Sequence, residues 1–222
     1  MPGPEQKAYK GLPMEGFIAS WYARNTGRDR RRFLAGADRV AERLGPGGRV
    51  LEVAPGPGYL AVELARRGYQ VAGLDVSRSF VRIAGENAAR AGVAVDFRLG
   101  DAAHMPFADS SFDFVVCMAA FKNFTDPVGA LDEMHRVLRP GGRASILDLR
   151  KDAPLGAIDE EVRSMNLGRP SAAVTRWIFR TVLLKNAYTR PALERMAAQS
   201  RFGRCEISEE GIGFDLRLAK PA

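Results

Sequence analysis

The segment from Arg49 to Ala65, RVLEVAPGPGYLAVELA, constrains the fold of this chain more than any other. It begins as an apolar strand, turns at Gly56 and Gly58, and continues with apolar residues at helical spacing. Glycine lacks a Cβ, so it adopts the dihedral angles of a tight turn and lets a ligand approach the backbone. The helix that follows offers unpaired amide groups and the positive end of its dipole. The segment therefore predicts a strand–turn–helix unit that binds a nucleotide.

The chain continues as an alternation of strands and helices. Strands are expected at residues 69–75, 93–99, 112–118 and 143–149, and Ser77 and Asp126-Pro127 are good helix starts between them. This alternation predicts right-handed crossovers and a parallel sheet covered on both faces. Two further strands, 205–208 and 214–218, are joined by a short link and should be antiparallel neighbours. The predicted fold is α/β, a Rossmann-like doubly wound, mostly parallel seven-stranded sheet with a final antiparallel strand.

Two helical additions are expected within a single domain of residues 1–222. Residues 12–46 predict an N-terminal helical cap, and residues 150–187 predict a helical lid inserted after the fifth strand. Such a lid lies at the carboxyl edge of the sheet, where open α/β folds bind ligands. Four aromatic residues are candidates to close the site over an acceptor, although each could instead pack in the core: Tyr9, Trp21, Tyr22 and Trp177.

The composition is that of a globular protein, with 46% apolar and 27% charged residues. No apolar run approaches the roughly 20 residues that span a bilayer, and the N-terminus lacks the apolar core of a secretory signal. A cytoplasmic location is therefore expected. Two cysteines and two histidines predict neither a disulfide framework nor a metal site. The sequence leaves the oligomeric state open.

The net charge of +7 draws on an arginine cluster between Arg24 and Arg32, with five arginines in nine positions. Such a cluster could hold a phosphate-bearing substrate or nucleic acid. It could equally be a solvated helix start, which is the interpretation we favour.

The nucleotide itself has two candidate identities. The turn GPGYLA fits a G-x-G-x-x-A dinucleotide pattern, but that pattern alone is a weak sign of NAD binding. Glu52 within the first strand offers a carboxylate to a cationic ligand. The turn Gly100-Asp101-Ala102 after the third strand offers an acceptor and a donor to an adenine edge. These features favour a different nucleotide cofactor.

Four segments in order carry a family resemblance: VLEVAPGPGYLAVELA, VAGLDVS, GDAAHMPFADSSFDFVVCMAAFKNF and ALDEMHRVLRPGGRASILDL. Over about residues 48–150 the chain resembles the class I S-adenosylmethionine-dependent methyltransferases. FKNFTDPVGALDEMHRVLRPGG is similar to the quinone-biosynthesis C-methyltransferase branch. The resemblance implies S-adenosylmethionine as cofactor and S-adenosylhomocysteine as product. The first 45 residues show no recognisable substrate motif.

The resemblance also implies cofactor-binding roles for residues at the ends of four strands. They are Glu52, Ala54, Pro55, Gly56 and Gly58 around the methionine part, Asp75 and Val76 at ribose and adenine, Gly100, Asp101 and Ala102 at the adenine edge, and Met118 and Ala119 near the transferred methyl group. Each has a purely structural alternative. Glu52 could cap the helix, for example, and Asp75 could be a surface strand end.

Methyl transfer from a sulfonium is an in-line displacement, so positioning and desolvation can supply much of the rate. A general base is needed only if the acceptor arrives protonated; His104 is a candidate, whereas His135 fits a scaffold role. We expect methyl transfer to a small hydrophobic or aromatic acceptor whose reacting atom the sequence does not identify. The alternatives are a nucleic-acid or phosphate-bearing acceptor held by Arg24–Arg32, an NAD-dependent oxidoreductase, and a cofactor-binding protein without turnover.

Overall fold

The computed structural model describes residues 8–10, 13–27, 30–165, 168–179, 181 and 184–222. Arg28 of the arginine cluster lies outside the described residues.

A seven-stranded sheet has the strand order β3-β2-β1-β4-β5-β7-β6. The strands are β1 Arg49–Val53, β2 Gln70–Asp75, β3 Asp96–Leu99, β4 Phe112–Met118, β5 Leu138–Leu149, β6 Glu206–Glu210 and β7 Gly213–Ala219. Strands β1 to β5 pair in parallel, and β7 is antiparallel to both of its neighbours, β5 and β6. The predicted fold class is confirmed, with the antiparallel strand one place in from the sheet edge.

Helices connect most of the strands, and two further helices precede β1. They are α1 Gly16–Thr26, α2 Arg30–Ala41, α3 Tyr59–Arg66, α4 Arg78–Ala91, α5 Pro127–Val137, α6 Leu155–Ser164, α7 Arg169–Ile178 and α8 Arg190–Gln199, with a short 3-10 helix at Phe121–Asn123. Both predicted caps are confirmed. The Ser77 hydroxyl accepts from the Phe80 amide at 3.0 Å, and the Asp126 carboxylate accepts from the Gly129 amide at 2.9 Å.

Some predicted boundaries were wrong. Strand β5 begins at Leu138, not at Arg143, because Leu138 already pairs with Phe112 before a register shift around the intervening glycines. The β6–β7 link is Gly211-Ile212, shorter than expected, because Glu210 pairs directly with Gly213. Gly211 has a φ of +54°, which favours glycine in so tight a turn.

Apolar layers cover both faces of the sheet, as a parallel sheet requires. On one face Leu51, Val115 and Ile146 belong to a core that includes residues of α5 and α8. On the other face Val50 and Phe114 pack with residues of α2 and α3. Helix α2 of the N-terminal segment is therefore part of the core, and its buried side chains help to hold the glycine-turn unit in place.

Helix α1 packs through its small residues. Its aromatic and aliphatic side chains recur at helical spacing, but the buried residues are Ala19 and Ala23, which lie in a cluster with Phe80 and Ile83 of α4. Alanine lets two helices approach closely, and this contact leaves Phe17, Ile18 and Trp21 facing solvent, whereas Tyr22 packs beside it. The periodicity predicted the helix correctly and gave no information on which face is buried.

Candidate cofactor and acceptor site

The strand order reverses between β1 and β4, and open α/β sheets bind ligands at such a switch point, outside the carboxyl ends of the strands. The predicted cofactor residues all lie at or just after the ends of β1, β2, β3 and β4. These four strands are consecutive neighbours in the sheet, so the structure brings their carboxyl ends to one edge.

The glycine turn is held by the end of β2. Gly56 and Gly58 have φ values of +53° and +75°, in the left-handed region that glycine tolerates. The Asp75 carboxylate accepts from the Gly56 amide and from the Ser77 amide, each at 2.9 Å. Asp75 is thus a support for the turn as well as a candidate ligand for ribose. Its two roles are compatible, since an ionised carboxylate has about four acceptor sites.

Gly58 also has to be small. A Cβ there would lie 2.8 Å from the Ala84 Cβ and 2.8 Å from the Phe97 ring. Gly58→Ala should therefore reduce the free energy of unfolding by about 2–4 kcal/mol, through overpacking and a strained φ. Urea unfolding monitored by circular dichroism measures this effect.

Gly85→Ala is the matched control. Gly85 lies inside α4, and a methyl group added there would meet no atom within 4 Å apart from its own helix backbone and chain neighbours. This substitution should leave stability unchanged or raise it by up to about 1 kcal/mol, because alanine favours helix. Equal losses in the two variants would contradict the packing explanation for Gly58.

Glu52 is the most unusual side chain of the site. It is 3% exposed, and its Oε2 atom has no hydrogen-bond partner among the described residues. Burial raises its pKa to about 8; the backbone amide of Ala61 in α3 opposes the rise, and the charge of Asp75 adds to it. Buried polar atoms are normally paired, so a partnerless carboxylate oxygen here marks a place for a donor or cation from a ligand.

Asp75 is also buried, and burial raises its pKa to about 6, whereas the amides of Ser77 and Gly56 act to lower it. Two carboxylates at the ends of adjacent strands repel one another when both are ionised. A ligand that brings positive charge or hydroxyl donors to this edge would stabilise both.

An apolar surface lies beside Asp75. Val76, after β2, and Leu99, at the end of β3, are 46% and 39% exposed, and Asp75 pairs with Leu99 across the two strands. The Asp101 carboxylate accepts from the Ala103 amide at 3.0 Å and so shapes the following turn. Exposed apolar side chains at the edge of the sheet where ligands bind can pack against a flat ring of a bound ligand. Sequence reasoning missed Leu99, although its position at the end of a strand was a usable signal.

The ends of β1 and β4 are strained. Ala54 and Ala119 have φ values of +56° and +60°, which are uncommon for residues with a side chain. The amide of Ala54 donates to the Leu74 carbonyl at 2.8 Å, and that of Ala119 to the Leu147 carbonyl at 2.7 Å. Hydrogen bonds from the neighbouring strands therefore hold both turns. Such strain is common at functional sites, and the cofactor-binding roles of both residues stay predictions.

A buried ion pair that the sequence reading missed lies on the β4–β5 side. The Lys122 ammonium donates to the Asp148 carboxylate at 2.6 Å and to the Ala119 carbonyl at 3.0 Å. The side chain of Asp148 is 0% exposed, and it also accepts from the Lys122 amide at 3.0 Å. The sequence did contain a signal for this pair, because Asp148 is an acidic residue within the apolar strand segment RASILDL. The pair fixes the chain after β4 against the end of β5.

A short N-terminal segment, residues 8–10, crosses the chain after β4. Tyr9 forms a backbone bridge with Phe124, and the Lys10 ammonium lies 3.2 Å from the Tyr188 hydroxyl. Burial raises the pKa of the Tyr9 phenol, and the charges of Tyr22, Asp75 and Asp148 raise it further. Tyr9 is therefore within electrostatic range of the strand ends on both sides of the switch point. Tyr188 is a second aromatic residue here that the sequence reading missed.

Four other residues that the sequence predicts at the site differ in packing and exposure. Tyr22 packs on Phe80 with ring centroids 5.8 Å apart, whereas Trp21 and Trp177 are 55% and 63% exposed. The His104 side chain is 84% exposed, with its Nδ1 atom 3.7 Å from Asp101 Oδ2. The closing role of the tryptophans and the general-base role of His104 stay predictions.

The arginine cluster is split by the fold. Arg24 lies in the last turn of α1 and Arg30–Arg32 form the first turn of α2. Within the described parts of the chain, no three His, Cys, Asp or Glu side chains form a group that could hold a metal ion. In the same described parts, no helix is long and apolar enough to cross a membrane.

Comparisons with known proteins agree with this geometry. Residues 51–146 match the family model described as a methyltransferase domain. A demethylmenaquinone methyltransferase from Deinococcus radiodurans is 42% identical over 102 residues, covering 45% of this chain and 42% of that protein. Methyltransferase GfsG from Streptomyces halstedii is 32% identical over 178 residues, covering 78% of this chain and 61% of that protein.

The fold is also shared with a solved structure. The crystal structure of a SAM dependent methyltransferase from Aquifex aeolicus superposes with a TM-score of 0.69 and 20% identity, covering 92% of this chain and 99% of that chain. At that identity the likeness shows the fold alone. Against three quinone methyltransferases the match spans only 42% to 46% of their length. The protein of that crystal structure is described as SAM dependent, which is a property of that protein. The chain thus shares the fold of that methyltransferase structure, its residues 51–146 match a methyltransferase domain, and part of it is similar in sequence to quinone-biosynthesis C-methyltransferases.

Proposed function

We propose that this chain binds S-adenosylmethionine at the ends of β1 to β4 and transfers its methyl group to a small apolar or aromatic acceptor. The observation that carries the proposal is the partnerless, buried Oε2 of Glu52 beside the glycine turn. A cationic ligand resolves this otherwise unfavourable arrangement, and S-adenosylmethionine carries both an ammonium and a sulfonium.

The residues present fit the cofactor. Glu52 would face its positively charged amino-acid part, and Asp75 would accept from its ribose hydroxyls. Val76 and Leu99 would contact the adenine ring through the apolar surface described above. The sulfonium supplies a methyl carbon that is already activated for displacement.

The protein would then contribute to the reaction by positioning the acceptor against the methyl group and by excluding water. Tyr9, within range of Asp75 and Asp148, offers a phenol that can orient a polar group of the acceptor. The Lys122–Asp148 pair keeps the segment after β4 closed against β5, so this wall of the site is held in place.

An apolar, aromatic acceptor is supported by two observations. The half-buried aromatic residues Tyr9 and Tyr188 lie against the chain after β4, where Tyr188 packs on the buried Phe121 with ring centroids 5.9 Å apart. The relative from Deinococcus radiodurans is named as a demethylmenaquinone methyltransferase, so that protein is named for a quinone. We extend to this chain the chemical class only, a reduced quinone or another electron-rich aromatic ring.

The test is transfer of a labelled methyl group from S-adenosylmethionine to a panel of acceptors. The panel contains a naphthoquinol, a simple catechol and unmodified transfer RNA, each with wild-type protein and with Glu52→Gln. We expect label in an organic-extractable product of an aromatic acceptor, and much less with the variant. Label in the RNA would support a nucleic-acid acceptor instead. Cofactor binding without transfer to any acceptor would support a binding protein without turnover.

A further inference from the structure

Helix α1 presents its large apolar side chains to solvent. Phe17, Ile18 and Trp21 are 76%, 42% and 55% exposed, whereas Ala19 and Ala23 are buried on the opposite side. Single exposed apolar residues are ordinary. Here three exposed apolar side chains, two of them aromatic, share one face of an 11-residue helix. This arrangement is typical of a helix that binds an apolar surface.

The position of α1 is fixed at both ends. Before its first turn, the Glu15 carboxylate accepts from the amides of Arg78 at 2.9 Å and Ser79 at 3.0 Å, at the start of α4. Near its last turn, the Ala23 carbonyl accepts from the Tyr59 hydroxyl at 2.9 Å, at the start of α3. The helix therefore lies across the carboxyl edge of the sheet, held so that its apolar face stays outward.

Exposed arginines lie on α1 and at the start of α2. Helix α1, GFIASWYARNT, contains Arg24 and no acidic residue, and α2 opens with Arg30 and Arg31, all three exposed. None of these arginines forms an ion pair with a carboxylate of the described residues, although many other arginines of the chain do. Arg24 follows Trp21 by three positions and Phe17 by seven, which puts it on the same side of the helix. Exposed guanidinium groups together with an exposed apolar face complement a surface that is negatively charged outside and apolar beneath.

We infer that α1 docks this protein on an anionic lipid bilayer. Phe17, Ile18 and Trp21 lie at the level of the headgroups and upper acyl chains, and Arg24, Arg30 and Arg31 contact the lipid phosphates. The inference is independent of methyl transfer. If both hold, docking places the carboxyl edge of the sheet close to the phase in which apolar acceptors concentrate.

Tryptophan fluorescence tests the inference directly, because Trp21 and Trp177 are the only two tryptophans of the chain. Trp177→Phe leaves Trp21 as the sole reporter. On titration with vesicles of phosphatidylcholine and phosphatidylglycerol, we expect its emission to shift to the blue and to be quenched by brominated acyl chains. Phosphatidylcholine alone should bind much more weakly, and added salt should weaken the binding to anionic vesicles.

Two substitutions in that single-tryptophan protein locate the contact. Phe17→Ser should weaken vesicle binding by roughly tenfold or more, because it removes an inserted aromatic ring. Leu155→Ser, at a position in α6 that is 58% exposed, should leave it unchanged. Both side chains are exposed, so neither substitution should unfold the protein, and circular dichroism checks this.

Three results would overturn the inference. One is the absence of any response of Trp21 to anionic vesicles. Another is equal weakening by Phe17→Ser and Leu155→Ser, since the contact would then not be specific to α1. The third is a blue shift that appears with rising protein concentration in the absence of lipid, which would assign the face to a second copy of the chain.

Discussion

Glu52→Gln should weaken S-adenosylmethionine binding by roughly 10–100-fold at pH 8.5. The expected size is that of a lost hydrogen bond to a charged group. The substituted amide would keep the shape of the side chain and remove its charge. In the wild type the pKa of Glu52 is raised to about 8 by burial, so the carboxylate is fully ionised only above that pH. Wild-type affinity for the cationic cofactor should therefore rise relative to the variant between about pH 6 and pH 9. Calorimetric titration across this range measures the difference.

The same substitution should raise the stability of the ligand-free protein, although it weakens cofactor binding. The folded-state pKa of Glu52 lies above its usual 4.5, so folding takes up a proton between pH 4.5 and about 8. This contribution to stability is present below pH 4.5 and is lost as the pH rises through about 8. Removal of the carboxyl should make the variant more stable than the wild type at pH 8.5, by on the order of a few kcal/mol. A variant that binds as tightly as the wild type and gains no stability would contradict both expectations.

Asp148→Ala should lower the free energy of unfolding by about 3–5 kcal/mol, because it leaves the Lys122 ammonium buried without its partner. The side chains of Asp148 and Lys122 are 0% and 11% exposed. Urea unfolding, with a parallel thermal scan, measures the loss.

Asp152→Ala is the matched control for this loss. Asp152 is paired with Arg150 at 3.0 Å, but its side chain is 43% exposed, and exposed ion pairs contribute about 0–1 kcal/mol. The double variant Lys122→Met with Asp148→Leu should recover most of the loss, since it removes both buried charges. A double variant as unstable as the sum of the single ones would show that the pair is not coupled.

Local patterns were enough to predict the sheet and the turn. Strands β1, β2 and β4 are short apolar runs, and the caps at Ser77 and Asp126 need only a few neighbouring residues, so these elements can be predicted from local sequence. The ends of neighbouring parallel strands meet by topology, which is why residues as far apart as Glu52 and Asp101 could be assigned to one edge. The expectation of a cofactor at that edge follows from the same argument.

The remaining features depend on contacts between distant residues. The Lys122–Asp148 pair joins groups 26 positions apart, and no local pattern matches one charge to the other. The bridge from Tyr9 to Phe124 likewise joins the N-terminus to the chain after β4. For α1, periodicity shows that a helix forms, but the choice between its alanine face and its aromatic face is made by the shape of α4.

The most direct test of the central claim is calorimetric titration with S-adenosylmethionine, S-adenosylhomocysteine and NAD. It uses the wild type, Asp75→Ala, and Asp96→Ala as a control that removes a carboxylate from an exposed ion pair with Arg98. We expect the wild type and Asp96→Ala to bind the first two ligands and not NAD, and Asp75→Ala to bind them at least roughly tenfold more weakly. Binding of NAD alone, or S-adenosylmethionine binding that is unchanged in Asp75→Ala, would contradict a cofactor site at the glycine turn.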